Sequence, residues 1–464
     1  MAKRELQPLT AVERRTTVAL AGVYGIRMLG LFMILPVFAL YATTLEGVTP
    51  TLVGLAIGIY GLTQAVFQIP LGLLSDRIGR KPVILAGLAV FALGSVIAAT
   101  ATTIDGVVIG RAIQGSGAIA AATLALLADL TRETVRTRVM AIIGVTIGVS
   151  FSVAMVLGPL LDRWIGVPGI FWLTAGLAGL AAAIVWLGVP TPARQRRHRD
   201  TGMVWSYLGD VLEHRQLLRL DWGIFSLHLL LSSNWVVLPL QFRDHFSIPS
   251  AAHWKIYLPV MLLGFVAMVP FIVLAEARQK MKGVFVGAVA VLVIAELLLY
   301  FNNAGFWGLM FSLWVFFTAF NLLEASLPSL VAKFSPSDAK GTAMGVYSTS
   351  QFMGIFVGGL AGGWLHEHHG IDAVYLFGAA VAALWLLAAV TMEKPRYLTS
   401  FVLDVGEMDA GSAARLADEL GRLPGVAEAV VIGEEGVAYL KLDKGKSDPA
   451  MLARYSVSGG MAGA

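Results

Sequence analysis

Gly72-Leu73-Leu74-Ser75-Asp76-Arg77-Ile78-Gly79-Arg80-Lys81 is a short charged stretch with two glycines, set between two long apolar runs. The runs on either side, 51–74 and 82–101, are each long enough to cross a bilayer, since about 20 apolar residues span the ~30 Å hydrocarbon core. Arg77, Arg80 and Lys81 put the connection on the cytoplasmic side, because basic loops stay inside. So short a connection makes two membrane helices cross closely, and Gly72 and Gly79 remove side chains that would block the approach. Asp76 and Arg80 are four residues apart. On a continuing helical turn they share a face and can pair with each other or with a neighbour.

The whole chain agrees with a membrane reading. Of its 464 residues, 57% are hydrophobic and 14% charged, with a mean hydropathy of +0.75, which excludes an ordinary soluble protein. A net charge of +4 would suit a nucleic-acid binder, but the basic residues sit in short loops beside apolar runs. They therefore set orientation, and no nucleic-acid partner is expected. The absence of cysteine excludes disulfides, cysteine metal sites and thiol catalysis. No nucleophile–base pair or metal-ligand spacing stands out, so neither an enzyme nor a metal or other cofactor is expected. His366, His368 and His369 read as interface residues. The basic N-terminus before a long first run reads as an uncleaved first helix.

Twelve apolar runs are legible, at 17–42, 51–74, 82–101, 105–129, 138–162, 169–189, 219–242, 254–275, 283–302, 305–332, 340–364 and 371–392. Lysine and arginine concentrate in alternate loops, and the opposite loops hold only Arg163, Arg243 and Lys255, which places both termini in the cytoplasm. A basic linker containing Arg194, Arg196, Arg197 and Arg199 divides the runs six and six, the layout of a two-half transporter. Within it, Met203 to Leu218 reads either as an amphipathic helix on the inner leaflet or as a plain tether. Glu276-Ala277-Arg278-Gln279-Lys280-Met281-Lys282 echoes the opening stretch without its glycines, in the corresponding loop of the second half. After the last run the composition turns soluble. Phe401–Val405, Val426–Ile432 and Val437–Leu442 read as strands and Ser412–Leu423 as a helix. A second helix at Asp448–Arg454 and a strand at Ser456–Ser458 complete a β-α-β-β-α-β order. The expected fold is an all-α polytopic membrane protein of twelve helices in two halves, 1–189 and 219–396. They are joined by a linker, 190–218, and followed by a small ferredoxin-like α+β domain, 397–464.

The opening stretch resembles the signature loop of the major facilitator superfamily, Gly-x-Leu-x-Asp-Arg-x-Gly-Arg-Lys, and matches every fixed position. Arg111-Ala112-Ile113-Gln114-Gly115-Ser116-Gly117 in the fourth run resembles a second motif of that family, Arg-x-x-Gln-Gly-x-Gly. The resemblance implies that Arg111 takes part in proton coupling. A permanent cation in low dielectric lowers the pKa of a nearby carboxyl and ties proton release to conformation. It also implies that Asp129 pairs with Arg80, with Asp76 on the other side of that arginine. Gly72, Asp76, Arg77, Gly79, Arg80, Lys81 and Asp129 would then form a latch that closes the inner face when the protein opens outward. Gly144, Gly148, Gly158 and Pro159 in the fifth run resemble a motif said to mark antiporters, although Leu161 and Asp162 stand where the family has a glycine pair. Gly115, Gly148, Gly158 and Pro159 are expected to serve helix packing and kinking.

Ionisable and polar groups inside a membrane are expensive, and each is a functional candidate. Arg27, Arg111, Glu296 and Glu324 are the candidates for proton coupling. Gln114, His228, Asn234 and Asn321 are the candidates for a substrate cavity. Asn321, Glu324 and Pro328 recur at helical spacing, so one polar face of the tenth run can point into a cavity. These features, with the resemblance, imply a proton-coupled secondary transporter of the bacterial inner membrane, similar to the drug/proton antiporters and working as an exporter. A proton symporter or uniporter for a metabolite, and a non-transporting sensor with the C-terminal domain as output, are the alternatives. The expected partners are the lipid bilayer, protons and a small-molecule substrate. The C-terminal domain is left to dock on the inner loops, to self-associate or to sense a ligand.

Overall fold

The computed structural model describes residues 8–192, 207–302, 305–336, 339–395, 398–434, 436–443, 452, 454–455 and 461–463. In lipid every backbone donor and acceptor must be satisfied within the protein, and the apolar runs meet this demand as helices. α1 (Ala11–Phe32) starts at a capping box between Thr10 and Glu13, and after a break at Met33 the chain continues as α2 (Leu35–Ala42). α3 (Pro50–Ile78) begins on a Thr49 cap, α4 (Arg80–Thr100) follows after one residue, and α5 (Ile104–Ser116) begins on a Thr103 cap. α6 (Ala120–Asp129) leads to α7 (Glu133–Ala183), which is two helices meeting at Gly166, where φ is +66°. A π-helical turn, Ile184–Gly188, ends this half. Beyond the linker come α8 (Leu208–Glu213), α9 (Arg215–Asp244), α10 (Trp254–Ala277), α11 (Met281–Phe301), α12 (Phe306–Phe334), α13 (Lys340–His369) and α14 (Ile371–Val390).

Among the described residues, ten helical stretches are long and apolar enough to cross a membrane. That number counts Arg138–Gly188 once, although Gly166 breaks it, and omits α13, which is long but rich in glycine and polar residues. These two facts account for the difference from the twelve apolar runs. The continuous helix considered for Met203–Leu218 is not formed. Residues 203–206 lie outside the described residues, and the rest is the short α8, a bend at His214 and the start of α9. Val211 of α8 is fully buried, so that turn packs on the bundle.

α3 and α13 meet across the two halves in a seam almost without side chains. Gly54, Gly58 and Gly61 of α3 face Gly359, Gly363 and the carbonyls of Phe352 and Phe356 on α13, and a Cβ on Gly54 would fall on the Gly359 carbonyl. On its other side α13 presents Gly354, Gly358 and Gly362 to Phe225, Leu229 and Ser233 of α9. α13 is thus held backbone to backbone between two helices, an approach that only small residues allow. At the end of the bundle away from Arg80, three hydrogen bonds also join the halves. The Thr51 amide donates to Glu367 Oε2 (2.9 Å), Arg243 to Thr43 Oγ1 (3.4 Å) and Ser250 to Asp162 Oδ2 (3.0 Å).

The small C-terminal unit contains β1 (Leu398–Asp404), α15 (Ala410–Gly421), β2 (Val426–Ile432), β3 (Val437–Asp443) and β4 (Met461–Gly463). Its sheet has the order β2-β3-β1-β4, with every neighbouring pair antiparallel. Leu403, Leu420, Ala438, Leu440, Leu442 and Leu452 form its core. On the alternate positions of β3, Tyr439 and Lys441 are also buried, at 6% and 8% exposed. Lys441 Nζ pairs with Glu428 (2.9 Å) and donates to the carbonyl of Ser335, the residue that ends α12 (2.5 Å). Apart from Leu452 and Arg454, the helix expected at 448–454 and the strand expected at 456–458 lie outside the described residues.

Candidate functional site

The charged stretch that opened the sequence reading is built around one residue. α3 runs through Asp76 to Ile78, Gly79 alone leaves the helix, and α4 restarts at Arg80. Gly79 has φ +107°, a conformation that side chains resist, so its role is backbone geometry more than clearance. The break turns Arg80 back onto α3, where it pairs with Asp76 and donates to Ser75 Oγ (2.8 Å). Its Nε also reaches Asp129 Oδ2 at the end of α6 (3.3 Å). Arg80 is 5% exposed and the Asp129 side chain is wholly covered. Lys81 Nζ donates to the carbonyls of Val189 (2.7 Å) and Trp186 (3.3 Å), capping the last turn of this half with a positive charge. Arg77 is exposed, and a Cβ added to Gly72 would press on Ala121 of α6.

Deeper in the same half, two buried arginines flank Tyr60. Arg27 of α1 donates to Gln64 Oε1 (2.6 Å), Tyr60 Oη (3.2 Å) and the Gly117 carbonyl (3.0 Å). Its Nε and Nη1 have no hydrogen-bond partner among the described residues. Arg111 of α5 lies 5.0 Å from the Tyr60 ring centroid and donates to the Ala56 carbonyl (3.3 Å) and to Gln114 Oε1 (3.1 Å). Gln114 in turn donates to Ser95 Oγ (2.7 Å). Neither guanidinium forms an ion pair among the described residues, so both are uncompensated cations in low dielectric. Gly115 gives its missing side-chain space to the Tyr60 carbonyl and the Thr63 hydroxyl, and Gly158 to the Met33 carbonyl at the α1–α2 break. Pro159 follows within α7. Around Gly148 nothing lies within 4 Å of the position a Cβ would take, so no helix packs on it in this arrangement.

The second half holds the opposite charge. His228 of α9, Glu324 of α12 and Gln351 of α13 converge, with Gln351 Nε2 2.8 Å from His228 Nε2 and 3.5 Å from Glu324 Oε1. His228 Nε2 stands 3.8 Å from Glu324 Oε2. The Glu324 side chain is 37% exposed, whereas Glu296 of α11 is fully buried and accepts from Asn234 Nδ2 (2.9 Å). The cavity candidates therefore separate. Asn234 and Gln114 are locked inside helix packing against Glu296 and Arg111, and His228 stands beside Glu324. Asn321, 6% exposed, keeps its Nδ2 without a partner among the described residues.

The Major Facilitator Superfamily family model matches residues 20–295 and 220–402. The chain belongs to the major facilitator superfamily. It is 50% identical over 435 residues, 94% of this chain and 95% of the relative, to the inner membrane transport protein YajR of Escherichia coli (strain K12). It is 36% identical over 350 residues, 75% of this chain and 89% of the relative, to an uncharacterized transporter of Buchnera aphidicola. Among solved structures, a bacterial homologue of the human lysosomal transporter Spinster, inward-facing and unoccupied, aligns with a TM-score of 0.67 at 14% identity. It covers 84% of this chain and 99% of its own. The nucleoside transporter NupG aligns with a TM-score of 0.64 at 16% identity, covering 82% and 100%. This facilitator is a multi-pass membrane transporter, a secondary transporter and not an enzyme.

Several of its site residues were not anticipated from the sequence. Glu13 in the first turn of α1 receives Arg132 through Nε (2.8 Å), Nη2 (2.9 Å) and the backbone amide (3.0 Å), beside the Arg80 cluster. Gln351 reads as one polar residue among several in a glycine-rich run. Asp221, six residues into α9, is 6% exposed with both carboxyl oxygens unpartnered among the described residues. The signal available for Asp221 was an acid inside the apolar register of the seventh run. In the facilitator's second half Glu276, at the end of α10, pairs with Lys333 at the end of α12 (3.2 Å). This repeats the position of the Asp76–Asp129 cluster with a lysine where the first half has an aspartate.

Proposed function

We propose that the protein is a proton-coupled exporter, similar to the drug/proton antiporters, working by alternating access between two six-helix halves with twelve crossings. The observation that carries this reading is the segregation of uncompensated charge. Among the described residues, Arg27 and Arg111 stand without counter-ions in the first half, and Glu324 stands without a cationic ion-pair partner other than the titratable His228 in the second. A permanent cation facing a carboxyl across a moving interface ties the proton on that carboxyl to the distance between the halves. Glu324 is the proton carrier in this scheme, Arg111 and Arg27 bias its release, and Glu296 is a second protonatable site. Asn321, His228 and Gln351 line the substrate's path. The fifth-run resemblance at Gly158-Pro159 supports antiport and export.

The seam and the hydrogen bonds at Thr43, Thr51 and Asp162 support a state closed at the end away from Arg80 and open toward it. We assign the Arg80 end to the cytoplasm, with both termini there and the protein in a bacterial inner membrane. The Asp76–Arg80–Asp129 cluster acts as the latch in this scheme, with Gly72, Arg77, Gly79 and Lys81 shaping it. The unit from 397 onward is read as ferredoxin-like from its strand order, docked on the end of α12 through Lys441. The bundle divides at 1–189, 190–218 and 219–396.

The test is proton flux in proteoliposomes loaded with a pH-sensitive dye, with candidate lipophilic cations added outside. Compound-driven proton movement that disappears in both Glu324→Gln and Arg111→Ala is the expected outcome. Compound transport that persists in Glu324→Gln with unchanged pH dependence would overturn the coupling.

A further inference from the structure

Glu324 lies about sixteen ångströms from the Arg80 end of α12, since eleven residues at 1.5 Å rise separate it from Ser335. A proton carried there needs a route to that end, and the helices around it supply one. Tyr347 of α13 is 4% exposed, its hydroxyl has no hydrogen-bond partner among the described residues, and it lies within electrostatic reach of both Glu324 and Asp221. Asp221 stands one turn and a half into α9, nearer the Arg80 end, and is seven residues before His228 on the same helical face. Glu324 Oε2, Tyr347 Oη and both Asp221 oxygens are thus a file of polar atoms without hydrogen-bond partners among the described residues, running between α9, α12 and α13. Buried polar atoms are expensive unless served, so such a file is the place where water enters a helix bundle. The turn next to Asp221 is filled by Trp385 of α14 against Gly223. At the start of α9, two residues before Asp221 at its nearest, lies a cavity of about 340 Å³ lined by His214, Arg215, Gln216 and Arg219 with Thr391 and Glu393.

We infer that Tyr347 and Asp221 are the proton path between Glu324 and the Arg80 end of the bundle. The Glu324 carboxyl releases its proton to adjacent water. The Tyr347 hydroxyl accepts one proton and gives up its own, and the Asp221 carboxylate takes it. One proton has then moved, leaving Glu324 ionised and Asp221 neutral, and Asp221 passes the proton to water in the cavity. This inference rests on the proton-carrier reading of Glu324, and its test separates the two.

The full-length protein in lipid nanodiscs is transferred from H2O to D2O, and the carboxyl C=O band is followed by infrared spectroscopy. No substrate is needed. The band lost in Glu324→Gln identifies Glu324, and the band lost in Glu296→Gln supplies a reference outside the file. Exchange at Glu324 is expected to slow at least about tenfold in Asp221→Asn and in Tyr347→Phe. Exchange at Glu296 should be unchanged, and Asp221→Glu should restore the rate at Glu324. Unchanged exchange at Glu324 in both variants would overturn the path while leaving a protonated Glu324. Equal slowing at Glu296 would also overturn it, because the variants would then have tightened the whole half. No band lost in Glu324→Gln would remove the carrier reading and the path with it.

Discussion

At the residue scale, Arg80 is the hinge of the motif cluster, because its single positive charge is shared between the carboxylates of Asp76 and Asp129. Breaking a buried ion pair by removing one partner costs several kcal/mol, since the other charge is left stranded. Arg80→Ala is therefore expected to destabilise the bundle by about 3 kcal/mol and to lower its thermal midpoint in nanodiscs. Asp76→Asn should do less, since the Asp76 side chain is partly open and Arg80 keeps Asp129. Adding Asp129→Asn to Arg80→Ala should recover much of the loss. Equal midpoints for Arg80→Ala and the double variant would show that Asp129 does not depend on Arg80. The pairing of Asp76 with Arg80 was legible from their spacing, and that of Asp129 with Arg80 from the family resemblance. Glu13 with Arg132 was not, because the two are 119 residues apart and each looks like an ordinary charge at a membrane boundary. Gln351 was missed for the same reason: sequence marks a polar residue but not the two helices that will face it.

At the element scale, α13 is the unusual helix. Its glycines were visible as composition, but their two-sided use against α3 and α9 needs three-dimensional neighbours. The apolar-run reading found the helix, and its modest hydropathy goes with its packing between two helices, α3 and α9. Gly54→Leu is expected to force the α3–α13 seam apart. A single cysteine at Ile57, 2% exposed and clean because the chain has no other, should then react faster with a membrane-impermeant thiol reagent. An unchanged rate would mean that the seam does not seal that end. α15 offers a pH test. Hydrogen bonds from Ser412 and from the first amides of the helix hold the Asp409 carboxyl below the ordinary aspartate range. A depressed folded pKa stabilises above the unfolded value and is lost as pH falls through the folded one. Amide protection factors in the first turn of α15 should drop on acidification below the usual aspartate range, and Asp409→Asn should flatten that dependence. A dependence that persists in the variant would move the cause elsewhere.

At the scale of the whole molecule, truncation after residue 395 should leave a monodisperse bundle, because the main clusters of buried apolar side chains in the bundle draw on nothing from the small unit. Aggregation of the truncated protein would make that unit part of the core. Lys441→Met should leave both parts folded but raise the rate at which limited proteolysis separates the small unit from the bundle, and an unchanged rate would argue that the Ser335 contact does not hold them together. The long apolar helices and the strands β1, β2 and β3 were legible because hydropathy is a local property of the chain. The contact of β3 with α12 was not, since it depends on a lysine placed between buried leucines. The seam between α3 and α13 has one more consequence. Helices that interdigitate long side chains behave as gears, and every relative movement must lift teeth out of sockets. Two glycine faces have no teeth. They form a bearing, on which one half can roll over the other with little unpacking. The friction of the transport cycle would then be set at its polar ends, where ion pairs are made and broken, and the middle of the protein would run smooth.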